Sequence, residues 1–277
     1  MYITRKDIER FVACLAREEK SAATIEKYSR EALRFLNWLS GEEVSQELAC
    51  AYKQTLEEVR TPAGVNGAVA ALNCLFDFLG LSGCRLRAMK LQRRIFRDED
   101  RELTQSEYRR LLAAARSRGS ERLLLVMETI CSTGIRVSEL RFITVESVRL
   151  GRAEVRNKGK IRIVFLPVKL QRVLLKYARA QGLTGGPVFV TRSGNPLDRS
   201  NIWADMKTLC ATAGVCRSKV FPHNLRHLFA RSYYSLEKDI VRLADILGHS
   251  SVNTTRIYTM ESGYVHRQQL ERLCLLL

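Results

Sequence analysis

The sequence predicts a mainly α-helical protein with one small antiparallel β-sheet, an α+β chain built in parts. Three observations carry that prediction. Apolar residues recur at helical spacing through most of the 277 residues. One stretch, 153–165 (AEVRNKGKIRIVF), instead alternates apolar and polar residues around Asn157-Lys158-Gly159, the pattern of a hairpin with a tight turn. Between 85 and 101 the composition turns to charge with little helical pattern, which divides a helical unit at 1–84 from a second unit at 102–277 by a basic linker.

The elements follow in order. The N-terminal segment MYITRKDIERFVACLAREEK reads as an amphipathic charged helix and not as a signal peptide. In 21–39 the residues Ile25, Tyr28, Ala32, Phe35, Leu36 and Leu39 form one stripe, and Gly41 ends it. Further helices are expected at 45–59 and 65–79, the latter stopped by Gly80 and Gly83, giving a four-helix unit. The second unit opens with Thr104-Gln-Ser-Glu107, a capping box whose side chains can satisfy two orphan N–H groups. Helices are expected through Ala115 and over 121–131, then the hairpin, then helices from Lys169, from Ser200 and over 224–234, 239–247 and 252–258, with a tail helix at 264–277.

Charge narrows the function. Lys and Arg total 46 against 29 Asp and Glu, a net charge of +17 that favours a polyanionic partner, because each cation meeting a phosphate releases condensed counterions. No stretch approaches the roughly 20 apolar residues of a membrane span. Eight cysteines without a CxxC pair, several in apolar runs, read as buried free thiols of a reducing compartment, so a cytoplasmic location is expected.

Certain polar residues resist explanation as surface. Arg136 follows Gly134 between apolar segments in CSTGIRVSELRFI. In FPHNLRHLFA, Pro222 suits a helix start, His223 and Arg226 share a face, and Leu225, Leu228 and Phe229 can anchor another. In LGHSSVNTTRIYT, Gly248 ends a helix, His249 follows at once and Tyr258 comes nine residues later. His223 and His227 are four apart, but no HExxH, cysteine pair or matching acidic ligand accompanies them, and no GxxxxGKS loop is present; neither metal nor cofactor is expected. What is left suits phosphodiester chemistry. Two guanidinium forks match the non-bridging oxygens, a tyrosine can attack phosphorus once its proton is removed or shared, and a hairpin lysine could protonate the departing oxygen.

The stretches TGIRVSEL, NKGKIRIVFLP, HNLRH and LGHSSVNTTRIYT, in this order and spacing, closely resemble the tyrosine recombinase (phage integrase) family in its short Xer-like form. The resemblance spans essentially the whole chain, because SAATIEKYSREALRFLNWL is similar to the family's helical core-binding domain, and the second unit then corresponds to its catalytic domain. It implies Tyr258 as the nucleophile of a 3′-phosphotyrosyl link, Arg136 and Arg226 as clamps on the scissile phosphate, and His249 as a hydrogen-bond partner of a phosphate oxygen. His223 would handle the proton at Tyr258 or hold the phosphate; Lys158, favoured over Lys160, would be the general acid; Glu139 and His227 would orient the site. The hairpin departs from the family's longer Gly-Lys-Gly-x-Lys run, which leaves the choice between the two lysines open.

The partners implied are double-stranded DNA with inverted-repeat half-sites, further copies of the chain in a tetramer on two duplexes joined through a Holliday junction, and accessory DNA-bending or directionality proteins. The apolar tail GYVHRQQLERLCLLL would dock on its own domain or, preferably, on a neighbouring protomer. Three other readings use the same features: a type IB topoisomerase, a DNA-binding regulator with a vestigial site, and a metal-dependent nuclease.

Overall fold

A computed structural model of the chain describes residues 1–91, 99–157, 160–191, 193–259 and 271–272. It divides into two compact units, Met1–Arg93 and Arg94–Leu277.

The first unit is four helices: α1 (Arg5–Arg17), α2 (Ala22–Leu39), α3 (Gln46–Val59) and α4 (Pro62–Phe78). Each starts on a side-chain cap: the hydroxyls of Thr4, Ser21, Ser45 and Thr61 accept from backbone N–H groups of the first turn. Helix α4 begins three residues earlier than its apolar stripe suggests, because Thr61 caps it and Pro62, whose missing N–H costs nothing there, takes the first turn. The core gathers round Phe35, which meets Tyr52 at 5.1 Å and Phe76 at 5.6 Å between ring centroids. Of the α2 stripe, Ala32, Phe35 and Leu39 are buried, and Ile25, Tyr28 and Leu36 pack at its margin. Glu31 is buried too, held by Arg60 at 2.8 Å and Arg34 at 3.0 Å.

The expected linker starts out as part of this unit. Asn73 of α4 brackets Leu86, donating to its carbonyl (2.9 Å) and accepting its N–H (2.8 Å); Asn66, two turns earlier, brackets Met89 in the same way at 3.0 and 2.7 Å. Residues 92–98 lie outside the described residues.

The second unit is built on α5 (Gln105–Ser117) and α6 (Glu121–Thr133). Thr104 and Glu107 form the expected capping box. Helix α6 is buried nearly all round, from Leu123 to Thr133, as befits a central helix. A 3-10 turn (Val137–Phe142), α7 (Val145–Arg149), the hairpin β1 (Arg152–Asn157) and β2 (Lys160–Phe165), and α8 (Val168–Ala180) follow. Then come α9 (Arg199–Thr208), the one-turn α10 (Cys210–Ala213), α11 (Pro222–Glu237), α12 (Ile240–Leu247) and α13 (Val252–Thr255), which tightens to a 3-10 turn over Arg256–Tyr258. The helix expected over 252–258 is therefore one turn of α-helix followed by one 3-10 turn.

Pairing of Asn157 with Lys160 fixes the hairpin register, setting Val155 opposite Arg162 and Ala153 opposite Val164. Ala153, Val155 and Val164 are buried, whereas Ile161, Ile163 and Phe165 of β2 are exposed. The seven cysteines among the described residues are free; Cys84 and Cys210 are buried as expected, but Cys50 and Cys216 are exposed. No helix among the described residues is long and apolar enough to cross a membrane. The tail at 260–270 and 273–277, and with it the question of its docking, falls outside the described residues.

Candidate active site

The site is assembled at the C-terminal end of α12. An α-helix ends with carbonyls that lack internal partners and carry the negative end of its dipole. Here three consecutive ones each receive a guanidinium. Arg162 donates to Ile246 O (2.6 Å), Arg226 to Leu247 O (2.7 Å) and Arg136 to Gly248 O (3.3 Å). Residues from β2, α11 and the turn after α6 thus meet on one helix end.

Two glycines make room. Gly134 caps α6 and Gly248 caps α12, both with left-handed φ of 65° and 63°. A side chain at Gly134 would strike the Phe229 ring, and one at Gly248 would strike the Arg162 stem. The Gly134 carbonyl, freed by the turn, accepts from Arg226 at 2.5 Å.

Arg226 is the best-buried of these cations, 1% exposed. Its third partner is His249 Nε2, at 3.0 Å. Because a guanidinium can only donate, Nε2 accepts, so the imidazole is neutral with its proton on Nδ1, donated to Thr255 Oγ1 at 2.8 Å. Burial and the neighbouring Arg226, Arg136 and Arg162 charges hold His249 down to about 4. Burial, then the charge of Arg136, lowers Arg226 itself to about 10.

Glu139, 1% exposed, is the carboxylate of the cluster. It accepts from Arg136 Nη1 (2.9 Å), the Arg136 N–H (2.9 Å) and Arg162 Nη2 (2.7 Å). Burial pushes its pKa up, but the Arg136 N–H and the two arginines outweigh that and leave it lowered, so Glu139 is ionised. Among the described residues, three guanidiniums stand against one carboxylate with His249 neutral, a net charge of two on the cluster.

Tyr258 is 5% exposed and packs with Ala230, Leu243 and Leu247. Its ring stands edge-on to His227 (5.0 Å, 89°) and near-parallel to His249 (6.2 Å, 18°); His227 in turn meets His223 at 4.5 Å. Burial raises the phenol pKa, and the Arg226 charge beside it pulls the other way. Burial followed by the His223 and Arg226 charges lowers His227 to about 4. For His223, at the exposed rim, loss of solvent and then the charges of Arg226, Arg136 and Arg199 lower the imidazole. Three buried nitrogens of the site have no hydrogen-bond partner among the described residues: Arg226 Nε, Arg162 Nε and His227 Nε2. Such groups are costly to leave unmade, so the cluster is suited to one more acceptor, an anion.

Of the residues singled out in the sequence, Arg136, His223, Arg226, His249 and Tyr258 converge here, with Glu139 and His227 among them. Lys158 lies outside the described residues. The structure adds Arg162 and Thr255, which the sequence reading passes over. Thr255 carries no signal beyond its spacing from His249; Arg162 had one, its place opposite Val155 once the turn length is known. Among the described residues no three His, Cys, Asp or Glu side chains are grouped to hold a metal.

Comparison with known proteins adds a relationship. Residues 101–263 match the Phage integrase family. The chain is similar to tyrosine recombinase XerC of Roseiflexus castenholzii, 30% identical over 92% of this chain and 88% of that protein. Its fold is similar to that of a lambda integrase (75–356) dimer bound to a COC′ core site, TM-score 0.76 at 19% identity over 93% of this chain and 95% of that one. It is also similar to a lambda integrase tetramer bound to a Holliday junction, TM-score 0.74 at 20% identity over 91% and 76% of the two chains.

Proposed function

The chain belongs to the phage integrase family, whose tyrosine recombinases are site-specific recombinase enzymes, and from that premise we propose that it cuts and rejoins double-stranded DNA through a 3′-phosphotyrosyl intermediate at Tyr258. The observation that carries the reading is the cation cluster on α12: three guanidiniums against one carboxylate among the described residues, with two buried guanidinium nitrogens that have no partner among them, beside a buried phenol.

Arg136 and Arg226 hold the non-bridging oxygens of the scissile phosphate, Arg226 through its unpartnered Nε or by exchanging one of its protein acceptors for the phosphate. Those contacts strengthen as negative charge builds on the pentacoordinate phosphorus. The Tyr258 oxygen attacks; the Tyr258 O–P bond forms as the bond from phosphorus to the 5′-oxygen breaks. The phenolic proton passes to His223 at the rim, which loss of solvent and then its charged neighbours favour in the neutral form, able to accept. A hairpin lysine, Lys158 by preference over Lys160, gives its proton to the departing 5′-oxygen. His249, whose Nε2 accepts from Arg226 here, must shift from that partner or gain a proton before it can donate to a phosphate oxygen. The phosphotyrosyl bond conserves the energy of the broken diester, so rejoining needs neither ATP nor metal. By the same reading the protein acts in the cytoplasm, the first unit grips the duplex as a core-binding domain, and copies of the chain assemble as a tetramer across a Holliday junction on inverted-repeat half-sites, with accessory DNA-bending or directionality proteins as further partners.

The test is a plasmid carrying two copies of the DNA that flanks the gene, incubated with the protein in EDTA. Recombinant circles are expected. Relaxation without exchange would favour the type IB topoisomerase reading, binding with neither would favour a regulator with a vestigial site, and loss of all cleavage in EDTA would favour a metal-dependent nuclease.

A further inference from the structure

Arg162 stands in the hairpin motif NKGKIRIVFLP without a role assigned to it, yet it is tied to two of the other motifs. Its side chain is 13% exposed. Nη1 donates to Ile246 O at 2.6 Å, across 84 residues, and Nη2 to Glu139 Oε2 at 2.7 Å, across 23. Its stem lies against Gly248, where any side chain would collide with it. Both terminal nitrogens are therefore spent on the protein. Arg136 differs: its side chain is 32% exposed and its bond to Gly248 O is long. Arg136 can turn toward a ligand; Arg162 is a brace.

What it braces is the hairpin. Three residues that share the inner face of β1 and β2 with Arg162, namely Ala153, Val155 and Val164, are buried and apolar. Apolar contacts set how deeply the hairpin sits, but they resist sliding and rotation weakly, since they are non-directional. Two charge-assisted hydrogen bonds are directional and strong. One fixes β2 to the end of α12, and the other fixes it to the carboxylate that also holds Arg136.

We infer that Arg162 is a positioning residue that locks strand β2 to the phosphate-binding arginines through Glu139 and the Ile246 carbonyl, and that proton donation from the hairpin's lysine to the leaving 5′-oxygen depends on this lock. The inference rests on the recombinase reading above. Whichever of Lys158 and Lys160 serves as the acid is carried by the strands that Arg162 fixes. Loosening them disturbs proton donation more than the clamp on the phosphate, because Glu139 keeps its bonds to Arg136 while β2 loses both of its ties, and small misplacements of a catalytic group cost much rate.

The test compares two nicked duplexes spanning the cleavage site mapped with the unaltered protein, one with the natural bridging 5′-oxygen and one with sulfur there. A thiolate, conjugate to an acid of pKa about 8.5, leaves without a proton, whereas an alkoxide, closer to hydroxide from water at about 15.7, does not. Arg162→Met is expected to slow covalent adduct formation about 100-fold more on the oxygen substrate than on sulfur, the scale of a lost general acid, beyond whatever loss the weakened cation cluster causes on both. Arg162→Lys, which keeps one cation, should fall between. A misfolded variant would lose both substrates together, so equal losses overturn the inference, as does an undiminished rate on oxygen. Failure of the unaltered protein to form an adduct on either duplex would instead overturn the recombinase reading on which it rests.

Discussion

Replacing Glu139 with glutamine probes the cluster with almost no change of shape. The carboxylate is 2% exposed and accepts three hydrogen bonds, two of them from guanidiniums at 2.9 and 2.7 Å. A glutamine has one acceptor oxygen, and its amide N–H groups would face donors that cannot accept. The net charge of the three arginines and residue 139 rises from two to three. Removing one partner of a buried ion pair costs about 3–5 kcal/mol, because the other is left buried and uncompensated. At about 2–4 °C per kcal/mol for a unit of this size, the lower figure predicts that the second unit melts about 6–12 °C lower at pH 7. The sign with pH also follows. The folded-state pKa of Glu139 is lowered, so its contribution is present above the unfolded value and is lost as pH falls through the folded one. The variant's deficit should therefore shrink in acid. Added sulfate should raise the variant's melting temperature more than that of the parent, since it supplies the missing charge. Scanning calorimetry across pH, with and without sulfate, reads all three. A melting temperature within about 2 °C of the parent at pH 7, less than 1 kcal/mol on the same scale, would refute the claim that Glu139 neutralises this cluster.

Other outcomes are expected from the same geometry. His249 and His227 are both held near 4, so the unfolded chain takes up their protons first and stability falls as pH drops from about 6.5 toward 4; His249→Asn should remove up to one proton from that slope, measured by urea unfolding at several pH values. Gly248→Ala must place a side chain at φ 63° and displace the Arg162 stem, so it should cost more than the about 1–2 kcal/mol of left-handed strain alone and slow cleavage, which a denaturation curve and a cleavage time course would show. Asn73→Ala strips both partners from the backbone of Leu86, which should destabilise the first unit by about 1–3 kcal/mol and leave the second unit's melting transition unmoved in calorimetry.

How much of this was readable beforehand depends on how far apart in sequence the interacting groups lie. Arg136, His223, Arg226, His249 and Tyr258 sit in short stretches punctuated by glycine or proline, and such punctuation fixes helix ends by local rules. The residues that bring the stretches together are different. The Ile246, Leu247 and Gly248 carbonyls carry no sequence signature, since every residue has a carbonyl; only their position at a helix end, without partners inside the helix, makes them acceptors for arginine. Arg162 was hidden by its neighbours. Taken by hydrophobicity alone, Ile161, Ile163 and Phe165 would be the inner face and Arg162 the outer, but the two-residue turn sets the opposite register. The Asn66 and Asn73 brackets bind backbone 23 and 13 residues away, a distance over which periodicity is silent. The early start of α4, by contrast, was legible in Thr61-Pro62, a cap and first-turn pair that apolar spacing outvoted.

The most direct test of the central claim is the site of covalent attachment to DNA. The protein would be trapped on nicked duplexes from DNA flanking its gene, in EDTA, the adduct isolated on a denaturing gel, and its DNA trimmed by nuclease before trypsin. Cleavage after Arg256 and Arg267 yields IYTMESGYVHR, which carries two tyrosines, so fragmentation must tell Tyr258 from Tyr264. A nucleotide linked through phosphate to Tyr258, with no adduct formed by Tyr258→Phe, is the predicted result. Attachment at Tyr264, or an adduct that survives Tyr258→Phe, would contradict the account.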